Sequence, residues 1–256
     1  MERRKFIKSG IAVSTIPMAC ATSTVLDNKT PIEITNELYE WRTYDIKWGA
    51  NSKMLTSYLT DTLKPAMMRA GANHFMVFDE IAPGGPKKIY VLISYPDANT
   101  YVTSQNLQSD RLFIEAASEY DAIPVDNPIY NRYSSSLLRA FDGLKQMLTP
   151  VEGATVYELR IYEGYSEDAV RRKINMFNNE EIDLFPKVGL NHMFYGDMIS
   201  GPYRPCLVYM LNFTDMEAHA AAWKAFSKAP EWNEMKVKPE YANTVSNIRN
   251  VFLRQV

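Results

Sequence analysis

Displaced by 118 positions, the chain matches itself. Leu-Tyr-Glu-Trp-Arg-Thr-Tyr at Leu38 to Tyr44 falls on Val-Tyr-Glu-Leu-Arg-Ile-Tyr at Val156 to Tyr162. The same ungapped offset lays Gly71, Asn73 and His74 on Gly189, Asn191 and His192, then Asp79 on Asp197 and Asp97 on Asp215. A period this long predicts two halves of one fold. No nucleophile, metal or phosphate signature accompanies it, so the repeat speaks to architecture and not to a reaction.

The chain starts Met1-Glu-Arg-Arg-Lys-Phe-Ile-Lys8, with a mildly apolar run from Ile11 to Met18. That is the outline of a twin-arginine export signal, which implies a periplasmic or cell-envelope address. The run is about half of the roughly 20 residues a spanning helix needs, so no transmembrane anchor is expected. Ala19-Cys20-Ala21 fits a cleavage site after Ala21, and Met18-Ala19-Cys20 also fits a degenerate lipobox that would acylate Cys20. Cys20 and Cys206 are the only two cysteines, so a chain cut after Ala21 has no internal disulfide and depends on packing. A net charge of −2 gives no electrostatic footprint for nucleic acid.

Within each half the pattern predicts β-α-β-β-α-β. The first strand alternates strictly: Tyr39, Trp41 and Thr43 oppose Leu38, Glu40, Arg42 and Tyr44, and Tyr157, Leu159 and Ile161 oppose Val156, Glu158, Arg160 and Tyr162. Helical spacing follows at Leu55, Tyr58, Leu59, Thr62 and Ala66, and at Val170, Ile174 and Phe177. Gly71 and Gly189 end these helices, and Ser166 is positioned to start the later one. A strand from Asn73 or Asn191, a Gly/Pro turn, and a third strand over Ile89 to Tyr95 or Leu207 to Phe213 come next. Thr214-x-x-Glu217 reads as a capping box for the second helix of the later half, and strands near Ser135 to Phe141 and Val245 to Leu253 close the halves. The expected class is α+β, two tandem ferredoxin-like repeats forming a barrel-like unit. The boundaries are 1–21 for the signal, 22–36 for a tether, 37–141 for the first repeat, 142–154 for a linker and 155–256 for the second.

Tyr-Glu-x-Arg-x-Tyr at the first strand, Gly before the second, and Pro230-Glu231-Trp232 after the second helix resemble the NIPSNAP family. The resemblance is best over Thr155 to Arg254 and looser over Glu37 to Phe141, where Asp110 to Phe113 stands in place of Pro-Glu-Trp. It implies the dimeric α+β barrel fold. The family has no settled activity. The wider superfamily is similar to cofactor-independent monooxygenases, small isomerases and haem enzymes, which implies an enclosed ligand.

In such a barrel the face opposite Tyr39, Trp41, Tyr157 and Leu159 is expected to line the interior. The ligand-binding candidates are therefore Glu40, Arg42, Tyr44, His74, Glu158, Arg160, Tyr162 and His192. Each Glu-x-Arg pair fits a cross-strand ion pair that sets register, or recognition of a small acidic or carbonyl ligand by arginine. His74 and His192 fit framework hydrogen bonding or general-base chemistry, and two imidazoles without a third clustered ligand make no metal site. His219 is expected on the surface, Asp79 and Asp197 as turn residues, and Cys206 as a buried thiol. No cofactor is expected; haem is a weaker idea that rests on superfamily analogy. The functional expectation is an exported protein that binds a small organic molecule in the barrel interior, with or without cofactor-independent chemistry. The alternative is a non-catalytic interaction module of the cell envelope. Monomer and homodimer both suit tandem halves.

Overall fold

The computed structural model describes residues 35–256. The expected export signal, Cys20 and most of the expected tether lie outside these residues. Eight strands are described: β1 (Leu38–Ile46), β2 (His74–Glu80), β3 (Lys88–Tyr95), β4 (Tyr130–Ala140), β5 (Val156–Glu163), β6 (Asn191–Ser200), β7 (Cys206–Phe213) and β8 (Asn247–Gln255). All neighbours are antiparallel, and they close a barrel in the order β1-β3-β2-β8-β5-β7-β6-β4. The order 4-1-3-2 within 38–140 recurs as 8-5-7-6 within 156–255. Two seams, β2–β8 and β6–β4, join the halves.

Helices cover the outside. Helix α1 spans 52–69 and contains a π-helical stretch at Tyr58–Leu63; α4 spans 167–188 and contains the equivalent stretch at Phe177–Glu181. Between them come α2 (Ala98–Ser104) and α3 (Arg111–Asp121), and after β7 come α5 (Met216–Lys228) and α6 (Pro230–Met235). The expected punctuation holds at Gly71 (φ 102°) and Gly189 (φ 85°), left-handed positions where a Cβ would be strained. Ser166 caps α4 by accepting from the Ala169 amide. The expected Thr214 capping box is corrected. Asp215 is the N-cap of α5 and accepts from the Ala218 amide, as Asp97 does from the Thr100 amide at α2. The duplicated aspartates are thus duplicated caps. Asp110 caps α3 and receives Arg69 at 2.6 Å, so the segment replacing Pro-Glu-Trp starts a longer helix.

The faces of the first strands are the reverse of the expectation. Tyr39, Trp41, Tyr157 and Leu159 turn into the barrel, where they pack with Phe78, Leu138, Phe194, Met210 and Leu253. Leu38 and Tyr44 turn outward against Leu55, Leu59 and Leu63 of α1, and Val156 turns outward toward Phe177 and Phe185 of α4. Alternation separates two faces but does not say which one the helices cover, and here both bury apolar side chains. The charged pairs went outward because the layer between sheet and helix supplies hydrogen-bond donors. The barrel centre offers mostly hydrocarbon.

Candidate functional site

The candidate residues form two buried networks, one in each sheet–helix layer. In the first half, Arg42 grips Glu40 through Nε at 2.7 Å and Nη2 at 2.9 Å, with both side chains almost wholly buried. Tyr95 and Ser135 also donate to Glu40, at 2.8 and 2.7 Å, and Gln105 accepts from Arg42 at 3.2 Å. Burial alone would depress the guanidinium, but the bonds and charge of Glu40 outweigh it and hold Arg42 above its ordinary value. Tyr44 stacks on Tyr133 at 4.9 Å, and burial lifts its phenol to about 12 against the pull of Arg42.

In the second half, Glu158 receives Arg160 at 2.5 Å, Trp223 Nε1 at 2.9 Å and Asn250 at 3.3 Å, and lies 3.0 Å from His219 Nε2. The surface expectation for His219 is therefore corrected: α5 brings it over β5, and its side chain is only 14% exposed. Arg160 lies 4.5 Å over the Trp223 ring, and its Nε finds no partner among the described residues. Tyr209 donates to Tyr162 at 2.8 Å, and Lys173 donates to Glu181 at 2.5 Å in a wholly buried pair. At the same offset Tyr162 falls on Tyr44, but Tyr209, Lys173 and Glu181 fall on Val91, Leu55 and Leu63. The second layer is therefore the more polar.

His74 Nδ1 sits 2.9 Å from Ser94 Oγ, and His192 Nδ1 sits 3.1 Å from the Tyr195 hydroxyl. The structure brings neither histidine to the other or to either arginine network. Asp79 and Asp197 are not turn residues. Each lies at a seam, Asp79 with Arg254 at 3.5 Å across β2–β8 and Asp197 with Arg139 at 3.1 Å across β4–β6. Among the described residues no cluster of three or more His, Cys, Asp or Glu could hold a metal ion. No described helix is long and apolar enough to cross a membrane.

A cavity of about 530 Å³ lies elsewhere, at one mouth of the barrel where the two halves meet. Trp41, Leu138, Leu159 and Val208 line its depth, and the β2–β3 and β6–β7 turns flank its opening through Pro83 and Tyr203. Trp41 stacks on Tyr90 at 5.3 Å. Tyr90 donates a short bond to Glu80, and burial first, then that bond, drives its phenol well above the ordinary range. It stays a protonated donor. At the rim Glu163 holds Arg249, whose guanidinium lies 4.2 Å over the Tyr203 ring. None of the eight candidate residues lines this cavity. Its walls come from the alternate positions of the same strands, the positions assigned to helix packing in the sequence.

Residues 157–256 match the NIPSNAP family model. The matched stretch coincides with β5 to β8 and their helices. A NIPSNAP-like domain protein from Burkholderia xenovorans is 24% identical over 40% of this chain and 85% of its own, with a TM-score of 0.36. Two whole-chain likenesses extend beyond the domain. A candidate monooxygenase from Fusobacterium nucleatum is 8% identical, with 86% of this chain and 93% of that one aligned and a TM-score of 0.58. One from Lactobacillus acidophilus is 12% identical over 86% and 94%, with a TM-score of 0.57. At such identities the likeness concerns the fold alone, an α+β barrel of eight antiparallel strands with helices outside. No curated protein matches the chain significantly.

Proposed function

We propose that this chain is an exported protein that binds a small organic molecule in the mouth of its barrel, where two ferredoxin-like repeats, 37–141 and 155–256, meet. The cavity of about 530 Å³ carries this reading. Its size is that of small-molecule sites, and apolar walls and polar side chains converge on it. Two whole-chain neighbours are candidate monooxygenases, which supports cofactor-independent chemistry on the bound molecule as an extension of this reading. The arginine networks serve as framework: their carboxylates already hold as many partners as they can use, and they lie outside the barrel.

Arg3-Arg4 and the short apolar run support export through the twin-arginine route, with cleavage after Ala21 or acylation of Cys20. One measurement addresses ligand and processing together. Protein purified from its own export pathway is weighed natively and after denaturation. The expected result is excess native mass that denaturation releases, on a chain whose denatured mass reports cleavage or a lipid. Val208→Trp, which fills the cavity, should be isolated bare. Bare polypeptide in both proteins would instead favour the rival reading, a non-catalytic interaction module of the envelope.

A further inference from the structure

The two walls of the barrel-mouth cavity are chemically unlike although they come from equivalent strands. Across β4, β1 and β3 the register sets Ser134 opposite Thr43 and Thr43 opposite Tyr90. Across β8, β5 and β7 it sets Arg249 opposite Ile161 and Ile161 opposite Val208. The hydroxyls of Ser134, Thr43 and Tyr90 therefore face the hydrocarbon of Ile161 and Val208, with the Glu163-paired Arg249 at the rim. Ser134 and Thr43 donate to no protein group among the described residues, so their hydroxyls are available to a ligand. The next level inward repeats the contrast, Ser136 and Trp41 against Val251 and Leu159. Each charged side chain of the lining has a partner group beside it: Arg249 pairs with Glu163, Lys88 lies opposite Asp45 in the β1–β3 register, and Glu80 accepts the Tyr90 hydroxyl. An anionic ligand would have to compete with Glu163 for Arg249 or with Asp45 for Lys88, and a cation with Tyr90 for Glu80 or with Lys88 for Asp45.

Building on the ligand reading above, we infer that the cavity takes an uncharged aromatic molecule of the phenol class. Its hydroxyl edge lies on Ser134 and Thr43, its ring lies against Ile161 and Val208, and Trp41 forms the floor. Aromatic and aliphatic walls on opposite sides favour a ring over a flexible chain, because stacking and area burial act without ordering rotatable bonds. Hydroxyls both donate and accept, which suits a phenol and gives a carboxylate no counter-charge.

Titration calorimetry of the full mature chain at pH 7 with 2-naphthol, naphthalene and 2-naphthoate tests the assignment. The expected order is 2-naphthol tightest, naphthalene weaker and 2-naphthoate weakest. Thr43→Val with Ser134→Ala should weaken 2-naphthol by about tenfold or more, roughly one hydrogen bond per hydroxyl lost, and leave naphthalene unchanged. If the double variant melts early, the single change at exposed Ser134 replaces it, with about a fivefold effect expected. Binding of 2-naphthoate as tight as 2-naphthol, or 2-naphthol indifferent to the hydroxyl changes, would overturn the phenol class while the cavity reading stands. If no probe binds, or if Val208→Trp leaves binding intact, the cavity reading falls and the phenol assignment falls with it.

Discussion

Glu40 and Glu158 occupy equivalent positions and are nearly fully buried, yet they differ in what remains if the neighbouring arginine is lost. Glu40 would keep Tyr95 and Ser135, whereas Glu158 would keep Trp223, His219 and Asn250. Removing one partner of a buried ion pair costs about 3–5 kcal/mol, mostly from the charge left behind. Arg42→Met should fall in that range. Arg160→Met should cost less, because more donors remain and Arg160 is 15% exposed against 7% for Arg42. Urea unfolding midpoints check the order; equal small losses with loss of ligand would return the arginines to a binding role. His192 gives a pH test at the same scale. Burial lowers its pKa below the ordinary value, with Asp183 pulling weakly the other way. The folded state therefore binds fewer protons than the unfolded chain below about pH 6.5, and stability present above that pH is lost as pH falls. His192→Asn should flatten the fall in urea midpoint between pH 7.5 and 5.5; an unchanged slope would place the titrating group elsewhere.

At the scale of elements, the strands were legible because their alternation survives in both halves. Helix ends at Gly71 and Gly189 were legible because only a left-handed residue stops a helix that way. Three features were not. The π-helical stretches in α1 and α4 widen the buried spacing to a steady four residues, Leu55, Leu59, Leu63 and Met67 in α1, which a search for i, i+4 repeats accepts as ordinary α-helix. Helix α3 has apolar positions 64% and 51% exposed at Leu112 and Ile114, which blurs its buried face. The inside of the barrel was misassigned because Glu-x-Arg looked like a lining, and the hydroxyl row that does line the cavity is scattered over 43, 90 and 134. The seam between β4 and β6 yields a prediction that contrasts charge with packing. Arg139 and Asp197 pair in the open, with side chains 64% and 29% exposed, so Asp197→Asn should cost no more than about 1 kcal/mol. Gly196 in the same strand faces Leu138 so closely that a Cβ would come within 2.7 Å of its Cβ. Gly196→Val should cost about 1–3 kcal/mol by overpacking. Thermal melts of the two variants rank the terms, and a larger loss from Asp197→Asn would mean that charge closes the seam.

The whole molecule depends on both seams. A chain of residues 155–256 alone would retain β5 to β8 and their helices, but it would uncover Tyr157, Leu159, Met210 and Leu253, each at most 3% exposed in the full barrel. It would also free the edges of β6 and β8 that β4 and β2 now occupy. Bare edges beside an apolar face drive strand pairing between chains. Because the strand order is the same in both halves, β6 of one copy can meet β8 of another and the reverse, which closes a twofold barrel with no edge left. The fragment is therefore expected to run as a dimer by light scattering after size exclusion. The fragment 37–141 should dimerise less tightly, since its inner face places Thr43 and Ser136 where the later half has Ile161 and Val251. A folded, monomeric 155–256 would show instead that the halves are independent domains and that the seams add little. The same experiment bears on the cavity, because a dimer of two later halves would set Ile161 and Val208 on both walls in place of Thr43 and Tyr90 and should lose any preference for 2-naphthol over naphthalene.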